Sequence, residues 1–211
     1  MVTDRPPGHL GVVRFAGLTA VPWRNGGGLT RVVASAGGSR EQGFDWRISL
    51  ADVNKPGPFS SYPGVDRIIT VVEGEAMVLV VDGVEHVLGL HEPLSFDGES
   101  QASCRRLAGP VRDLNVMTRR DRLSATLAIR DLSQTRPIAV DGGQVLVLLS
   151  GSAVVVGADG SRAGLALLDA VCPSGEHMRL VEGSGRAAVV RIQEHSHTCA
   201  ADLLPGTANP R

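Results

Sequence analysis

Apolar and polar residues alternate along much of this chain with the period of a β-strand. Phe44-Asp45-Trp46-Arg47-Ile48-Ser49-Leu50 alternates strictly, which predicts a strand with one face buried. Arg67 to Val72 and Ala76 to Val81 are short β-branched runs, and Glu73-Gly74-Glu75 between them predicts a hairpin turn. Asp82-Gly83 ahead of Val84 to Leu88 is a type I′ turn signal. Val111 to Thr118, Ala125 to Arg130, Val145 to Leu149, Ala153 to Val156 and Ala187 to Ile192 continue the pattern. No amphipathic helical stretch longer than ~2 turns interrupts it. Many short strands separated by turn residues predict an all-β sandwich or barrel.

The pattern also repeats. A shift of 77 residues lays Gly74, Ala76 and Val78 on Gly151, Ala153 and Val155, and Asp82-Gly83 on Asp159-Gly160. It also lays Leu90 on Leu167 and Gly98-Glu99 on Gly175-Glu176. Two copies of one β unit predict a double jelly roll, a bicupin with little helix. The copies are unequal. Residues 1–130 are expected to form an N-terminal cupin unit carrying the ligand pocket, and residues 131–211 a smaller C-terminal cupin unit.

Composition narrows the partners. The 211 residues carry 21 Lys and Arg against 22 Asp and Glu, a net charge of −1 that speaks against nucleic acid or an anionic membrane surface as partner. Lys55 is the sole lysine, so the positive charge is almost all arginine, suited to planar contacts with carboxylates or simply the mark of a GC-rich genome. The three cysteines, Cys104, Cys172 and Cys199, show no CxxC spacing, which fits a reducing compartment. Met1 to Leu10 lacks the apolar core of a signal peptide, and no apolar run reaches membrane-spanning length. A cytoplasmic protein is the expectation.

Four segments carry candidate chemistry. Trp23-Arg24-Asn25-Gly26-Gly27-Gly28-Leu29-Thr30 is either a flexible turn or a loop whose glycine amides approach a ligand, with stacking and hydrogen-bonding side chains beside them. It matches neither phosphate-loop spacing. On the strand around Trp46, Arg47 and Ser49 share one face; they are either solvated or the anion anchor of a barrel mouth, and the period leaves both open. Pro56-Gly57-Pro58-Phe59-Ser60-Ser61-Tyr62-Pro63-Gly64 is a stiff loop, fit to be an aromatic wall or a plain barrel cover. Asp113, Asn115 and Met117 share the other candidate face; Asp and Asn are poor strand formers, spent here on a site or on a buried hydrogen-bond pair.

A metal site finds little support. The segment between Gly64 and Gly74 has no histidine, His86 and His91 lack partners at ligand spacing, and Glu176-His177 stands without a first half. His195-Ser196-His197 is better read as a tail than as a zinc pair. Cys104 beside Arg105-Arg106 offers a weak case for a lowered thiol pKa.

Taken together, Trp23-Arg24-Asn25-Gly26-Gly27-Gly28 with Thr30, Phe44 to Ser49, Gly57 to Ser60, Tyr62 to Arg67, Leu94 to Gly98 and Gly109 to Met117 resemble the HutD/Ves family over about residues 12–130. Arg24 stands where lysine is common in that family, and Tyr62 where phenylalanine is common. The resemblance implies a bicupin without a metal site, associated with bacterial histidine utilisation. It implies regulatory binding of a pathway intermediate such as urocanate or a formylated glutamate, and brings no catalytic activity with it.

The favoured reading is therefore a cofactor-free, metal-independent protein that binds a small carboxylate. The expected binding residues are Trp23, Arg24, Asn25, Gly27, Thr30, Arg47, Ser49, Phe59, Tyr62, Arg67, Asn115 and Met117. The alternatives are a metal-independent isomerase or hydrolase using Asp66 or Asp113 as general base, and a dimerisation module with a vestigial pocket. No catalytic residue is assigned, and a homodimer is left open.

Overall fold

The computed structural model describes residues 10–37, 43–173, 175 and 178–195. Its one helical turn among them is a 3-10 turn at Phe15–Gly17, so no described helix is long enough to cross a membrane. The rest of its regular structure is strand. In chain order the strands are β1 (Val12–Val13), β2 (Val21–Pro22), β3 (Gly28–Ala36), β4 (Trp46–Val53), β5 (Gly57–Pro58), β6 (Val65–Glu73), β7 (Ala76–Val81), β8 (Val84–Gly89) and β9 (Pro93–Asp97). They continue with β10 (Ala102–Leu107), β11 (Val111–Arg119), β12 (Leu123–Leu132), β13 (Ile138–Val140), β14 (Gln144–Val156), β15 (Arg162–Leu165), β16 (Ala170–Val171) and β17 (Arg179–Glu194).

The first unit is two facing sheets, β2-β3-β4-β11-β6-β9 and β5-β10-β7-β8. Asp82 and Gly83 both take positive φ, 48° and 84°, and close a tight hairpin in which Val81 pairs with Val84. The turn expected at Glu73-Gly74-Glu75 is different. It joins strands of two separate sheets and is a corner, not a hairpin: Gly74, at φ 95°, swings the chain from one sheet to the other.

The second unit is one bent sheet, β1-β16-β14-β17-β12, with β13 on β17 and β15 on β14. Here the two strands expected at 145–149 and 153–156 are one, β14. The register shifts between Leu148 and Ser150, and Gly151 at φ 80° marks the bend that Gly74 makes in the first unit. The 77-residue shift survives at atomic detail. His91 (φ 68°) donates its backbone N–H to the carbonyl of Val71 at 2.8 Å, and Leu168 (φ 64°) donates to Leu148 at 2.8 Å.

The division expected between residues 130 and 131 does not follow the hydrogen bonding. It falls inside β12, which pairs along its whole length with β17, and β1 at the other end pairs with β16. The second sheet thus draws strands from both sides of the first unit.

Three large apolar clusters hold this together, beside a small one of Phe44, Val65 and Met117. Val53, Ile69, Val71, Met77, Leu79 and Val111 fill the floor of the first barrel. Leu146, Leu148, Val155, Val181 and Ala187 fill the second unit. Between the units, Ile48, Leu50, Leu114 and Val116 pack against Val145, Val147, Leu168, Ala188 and Val190. Each fully buried Ile or Leu contributes about 2 kcal/mol. This third cluster decides the facing of β4: with Ile48 and Leu50 buried between the units, alternation turns Arg47 and Ser49 into the first barrel.

Candidate functional site

Cross-strand registry sets rows of side chains on that inner face. Thr30, Ala51, Asp113 and Val71 make one row across β3, β4, β11 and β6. Val32, Ser49, Asn115 and Ile69 make the next, and Arg47, Met117, Arg67 and Phe96 a third that reaches β9. Above the apolar floor these rows enclose a cavity of about 690 Å³, within the range of small-molecule sites.

Two loops form its walls. The glycine-rich segment is a tight turn between β2 and β3. Trp23 donates from Nε1 to the Thr30 hydroxyl at 2.7 Å and lies over Gly28, where an added Cβ would strike the Asp52 carbonyl. The proline-rich loop is tied across the barrel end by Phe59 N–H to the Ala102 carbonyl (2.9 Å) and Tyr62 N–H to the Gly98 carbonyl (2.7 Å). Phe59 meets Trp23 edge to face, with centroids 6.0 Å apart.

Two guanidiniums stand inside. Arg47 lies over the rings of Phe44 (4.6 Å) and Tyr62 (5.4 Å), and its Nη2 donates to the Met117 sulfur at 3.1 Å and the Tyr62 hydroxyl at 3.3 Å. Arg67, only 3% exposed, lies over Phe96 at 4.9 Å, Phe59 and Tyr62, and donates to the Ser60 carbonyl at 3.4 Å. Neither has a salt-bridged carboxylate among the described residues, and the Nε of each is buried with no hydrogen-bond partner. Burial, reinforced by the charge of Arg47, pulls Arg67 down to about 10 against the opposing pull of Asp113 and Tyr62, so it stays charged at neutral pH.

Asp113 is the one carboxyl lining the cavity among the described residues, 1% exposed, with an Oδ1 that accepts no hydrogen bond. Burial, with a smaller push from Asp52, raises it to about 7 despite the charge of Arg67. Asn115, 8% exposed, also holds its Oδ1 unpartnered. Unpaired buried polar atoms cost free energy, and Arg47 Nε, Arg67 Nε, Asp113 Oδ1 and Asn115 Oδ1 gather in this one cavity.

Of the expected residues, Trp23, Arg24, Asn25, Thr30, Arg47, Ser49, Phe59, Tyr62, Arg67, Asn115 and Met117 line this cavity together. Gly27 does not. Its N–H is spent on the Asn25 side chain (3.0 Å) and the Gly26 N–H on the Trp23 carbonyl (3.0 Å), so these two glycine amides close the turn and do not face a ligand. Asp66 lies outside as well: adjacent strand residues face opposite ways, and it pairs with Arg120 at 2.6 Å. Phe44 precedes β4 and turns inward onto Arg47, because the strand begins at Trp46 and not at Phe44. Cys104 is buried and its thiol is pushed up by desolvation, while Arg105 pairs with Glu85, so the case for a lowered thiol fails. Sequence reasoning did not assign Asp113, Ser60, Val32 or Ala51 to binding; the row partners of Arg47 and Ser49 on β11 and β3 were the available signal.

Among the described residues no histidine or cysteine lines the cavity, and no group of three or more His, Cys, Asp and Glu is placed to hold a metal ion. Glu176, His177, Ser196, His197 and Cys199 lie outside the described residues.

The likeness to known proteins extends over the whole architecture. A protein in the hutC 3′ region of Pseudomonas putida is 40% identical over 120 residues, a match spanning 56% of this chain and 63% of that protein's length. HutD from Pseudomonas fluorescens SBW25, solved in a formate condition, aligns with a TM-score of 0.74 at 32% identity, covering 89% of this chain and 100% of the other. A cupin 2 conserved barrel domain protein from Leptotrichia buccalis aligns with a TM-score of 0.62 at 9% identity, covering 92% of this chain and 100% of the other, a likeness of fold alone. The fold is cupin-like, and two units related by an internal shift are compatible with a bicupin. The sequence model of the HutD family matches residues 16–190, and the chain belongs to that family.

Proposed function

We propose that this protein binds a small carboxylate metabolite, without metal, in the cavity of its first unit, and that occupancy modulates histidine utilisation. The observation that carries the reading is the pair Arg47 and Arg67: two guanidiniums in an aromatic-walled cavity, neither salt-bridged to a carboxylate among the described residues. Such groups bind carboxylates by charge-assisted, directional hydrogen bonds. Trp23, Phe59 and Tyr62 supply faces for a flat or aliphatic body, and Thr30, Ser49 and Asn115 supply neutral hydrogen-bonding groups. Among the described residues the cavity offers one carboxyl and no imidazole or thiolate, too few donors for a transition-metal site, which supports the metal-independent reading.

The link to histidine utilisation rests on the family and on the relative in the hutC 3′ region, which makes urocanate and a formylated glutamate the first ligands to try. A cytoplasmic location belongs to the same reading, supported by Cys104 and Cys172 standing free. Calorimetric titration of urocanate into wild type and Arg47→Ala is the test. Binding in the first and its loss in the second is expected; equal affinity removes Arg47 from the site.

One observation favours a second reading, a metal-independent isomerase or hydrolase of a small organic acid. Asp113 has its acid–base midpoint near neutrality, as a general base should. Incubation of the wild type with urocanate and formylated glutamate, followed by product analysis, separates the two: unchanged ligand favours binding alone.

A further inference from the structure

We infer that the cavity takes up its anion together with one proton, and that Asp113 is the group that carries it. The inference rests on the carboxylate-binding reading and adds a coupling to it. Among the described residues the ionisable groups lining the cavity are Arg24, Arg47, Tyr62, Arg67 and Asp113. Asp113 alone is of a type — carboxyl, imidazole or thiol — whose charge changes between ~4 and ~9.

Its surroundings make the charged form dependent on Arg67. From β6, Arg67 faces it as a positive charge, without a hydrogen bond between the two. From β4, Asp52 adds negative charge, itself engaged by Arg31 at 2.6 Å and Arg112 at 2.5 Å. From β10, the thiol of Cys104 is buried nearby and adds no charge while protonated. Arg47 stands further along the same inner face of β4.

A ligand carboxylate arriving at Arg47 and Arg67 takes over the positive charge on which ionised Asp113 depends. It also sets a second anion into the same desolvated space. Two like charges there cannot both be stable, so one carboxyl takes a proton from solvent. The ligand carboxylate has two guanidiniums to pair with, whereas Asp113 has no hydrogen bond at Oδ1, so the proton settles on Asp113. The neutral acid then acts as a donor: its new O–H satisfies a ligand oxygen or Asn115 Oδ1, which is also unpartnered. Protonation thus converts an acceptor that repels the anion into a donor that holds it.

Calorimetry with formate, acetate, benzoate and cinnamate, whose acids titrate well below neutrality, tests this. Titrations at about pH 8 in phosphate and in Tris, buffers of different ionisation heat, report protons taken up per anion bound. Close to one proton is expected at about pH 8, falling towards none at about pH 5.5, with Kd rising about tenfold per pH unit above neutrality. Asp113→Asn is expected to bind with no proton uptake and with a Kd independent of pH. Should that variant not fold, the wild-type pH series decides alone. Wild-type binding without proton uptake, or uptake that persists in Asp113→Asn, overturns the coupling. Failure of all four anions to bind overturns instead the carboxylate reading beneath it.

Discussion

Asp66 and Arg67 are adjacent on one strand and lie on opposite sides of the barrel wall. Asp66 is held from outside by Arg120, which also reaches Asp97 and Glu99, while Arg67 is buried inside among Phe59, Tyr62 and Phe96. Exposed ion pairs contribute little to stability. Asp66→Ala is therefore expected to leave carboxylate affinity and the urea midpoint close to wild type. Arg67→Ala is expected to lose affinity tenfold or more, on the order of the ~1.5–3 kcal/mol of a charged hydrogen bond. Titration of both variants beside their denaturation curves checks the contrast.

Arg47→Lys tests geometry against charge. The guanidinium plane lies over Phe44 and Tyr62, and an ammonium keeps the charge but loses the planar fork and the ring contacts. Affinity is expected to fall about tenfold although net charge is unchanged. Equal affinity would mean that the site reads charge alone.

The unliganded protein should lose stability as pH rises towards neutrality, through Asp113. Its folded value of about 7 exceeds the ~3.9 of an unfolded aspartate, so between these the native state holds a proton that the unfolded chain has released. That contribution is full below the unfolded value and is lost as pH rises to the folded one. His91 works the other way: burial, and then the charge of Arg186, hold it below its ordinary value, so it costs stability as pH falls. The comparison of variants separates them. The unfolding free energy of Asp113→Asn relative to wild type is expected to increase from about pH 5 to about pH 8 and then level off. Urea denaturation across that range measures it.

The proline-rich wall depends on a close approach at Gly98. A Cβ there would stand 2.6 Å from the Val65 carbonyl oxygen, which accepts the Gly98 N–H, and 2.7 Å from the carbonyl oxygen of Tyr62, whose own N–H is donated to the Gly98 carbonyl. Gly98→Ala is expected to cost about 1–3 kcal/mol of stability, the range of overpacked sites, and to weaken ligand binding by displacing Tyr62. A variant with the wild-type denaturation midpoint would show that the loop yields without cost.

Local signals were legible where a local rule decides the outcome. Asp82-Gly83 needs only its own positive φ to form the tight hairpin. Gly74 predicts the same kind of turn, because a glycine corner and a hairpin look alike until the partner strands are known; β6 and β7 pair with different neighbours. The facing of Arg47 and Ser49 could not come from β4 itself, since both faces alternate equally well. It is set from outside, by Val147, Leu168 and Ala188 covering Ile48 and Leu50. Asp113 stood out as an ill-suited strand residue, yet whether it had a buried partner depended on Arg67, far away in sequence and reaching in from β6. The glycine run beside Trp23 predicts backbone amides aimed at a ligand, whereas the Gly27 amide serves Asn25.

The two β units also differ in what a mutation in each would look like in a genetic screen. Where Val71 faces Asp113 and Ile69 faces Asn115 in the first, Leu148 faces Ala187 and Leu146 faces Val189 in the second. One copy of the template leaves its interior open and lined with charge; the other has been filled with hydrocarbon. Alleles that abolish ligand response while protein abundance stays normal should fall between Val21 and Met117, among the residues around the cavity. Alleles in the second copy should act through abundance alone, and a suppressor that restores packing anywhere along the shared face should rescue them. On the proposed carboxylate-binding reading, the filled copy answers only to selection for durability, while the open copy answers also to a metabolite.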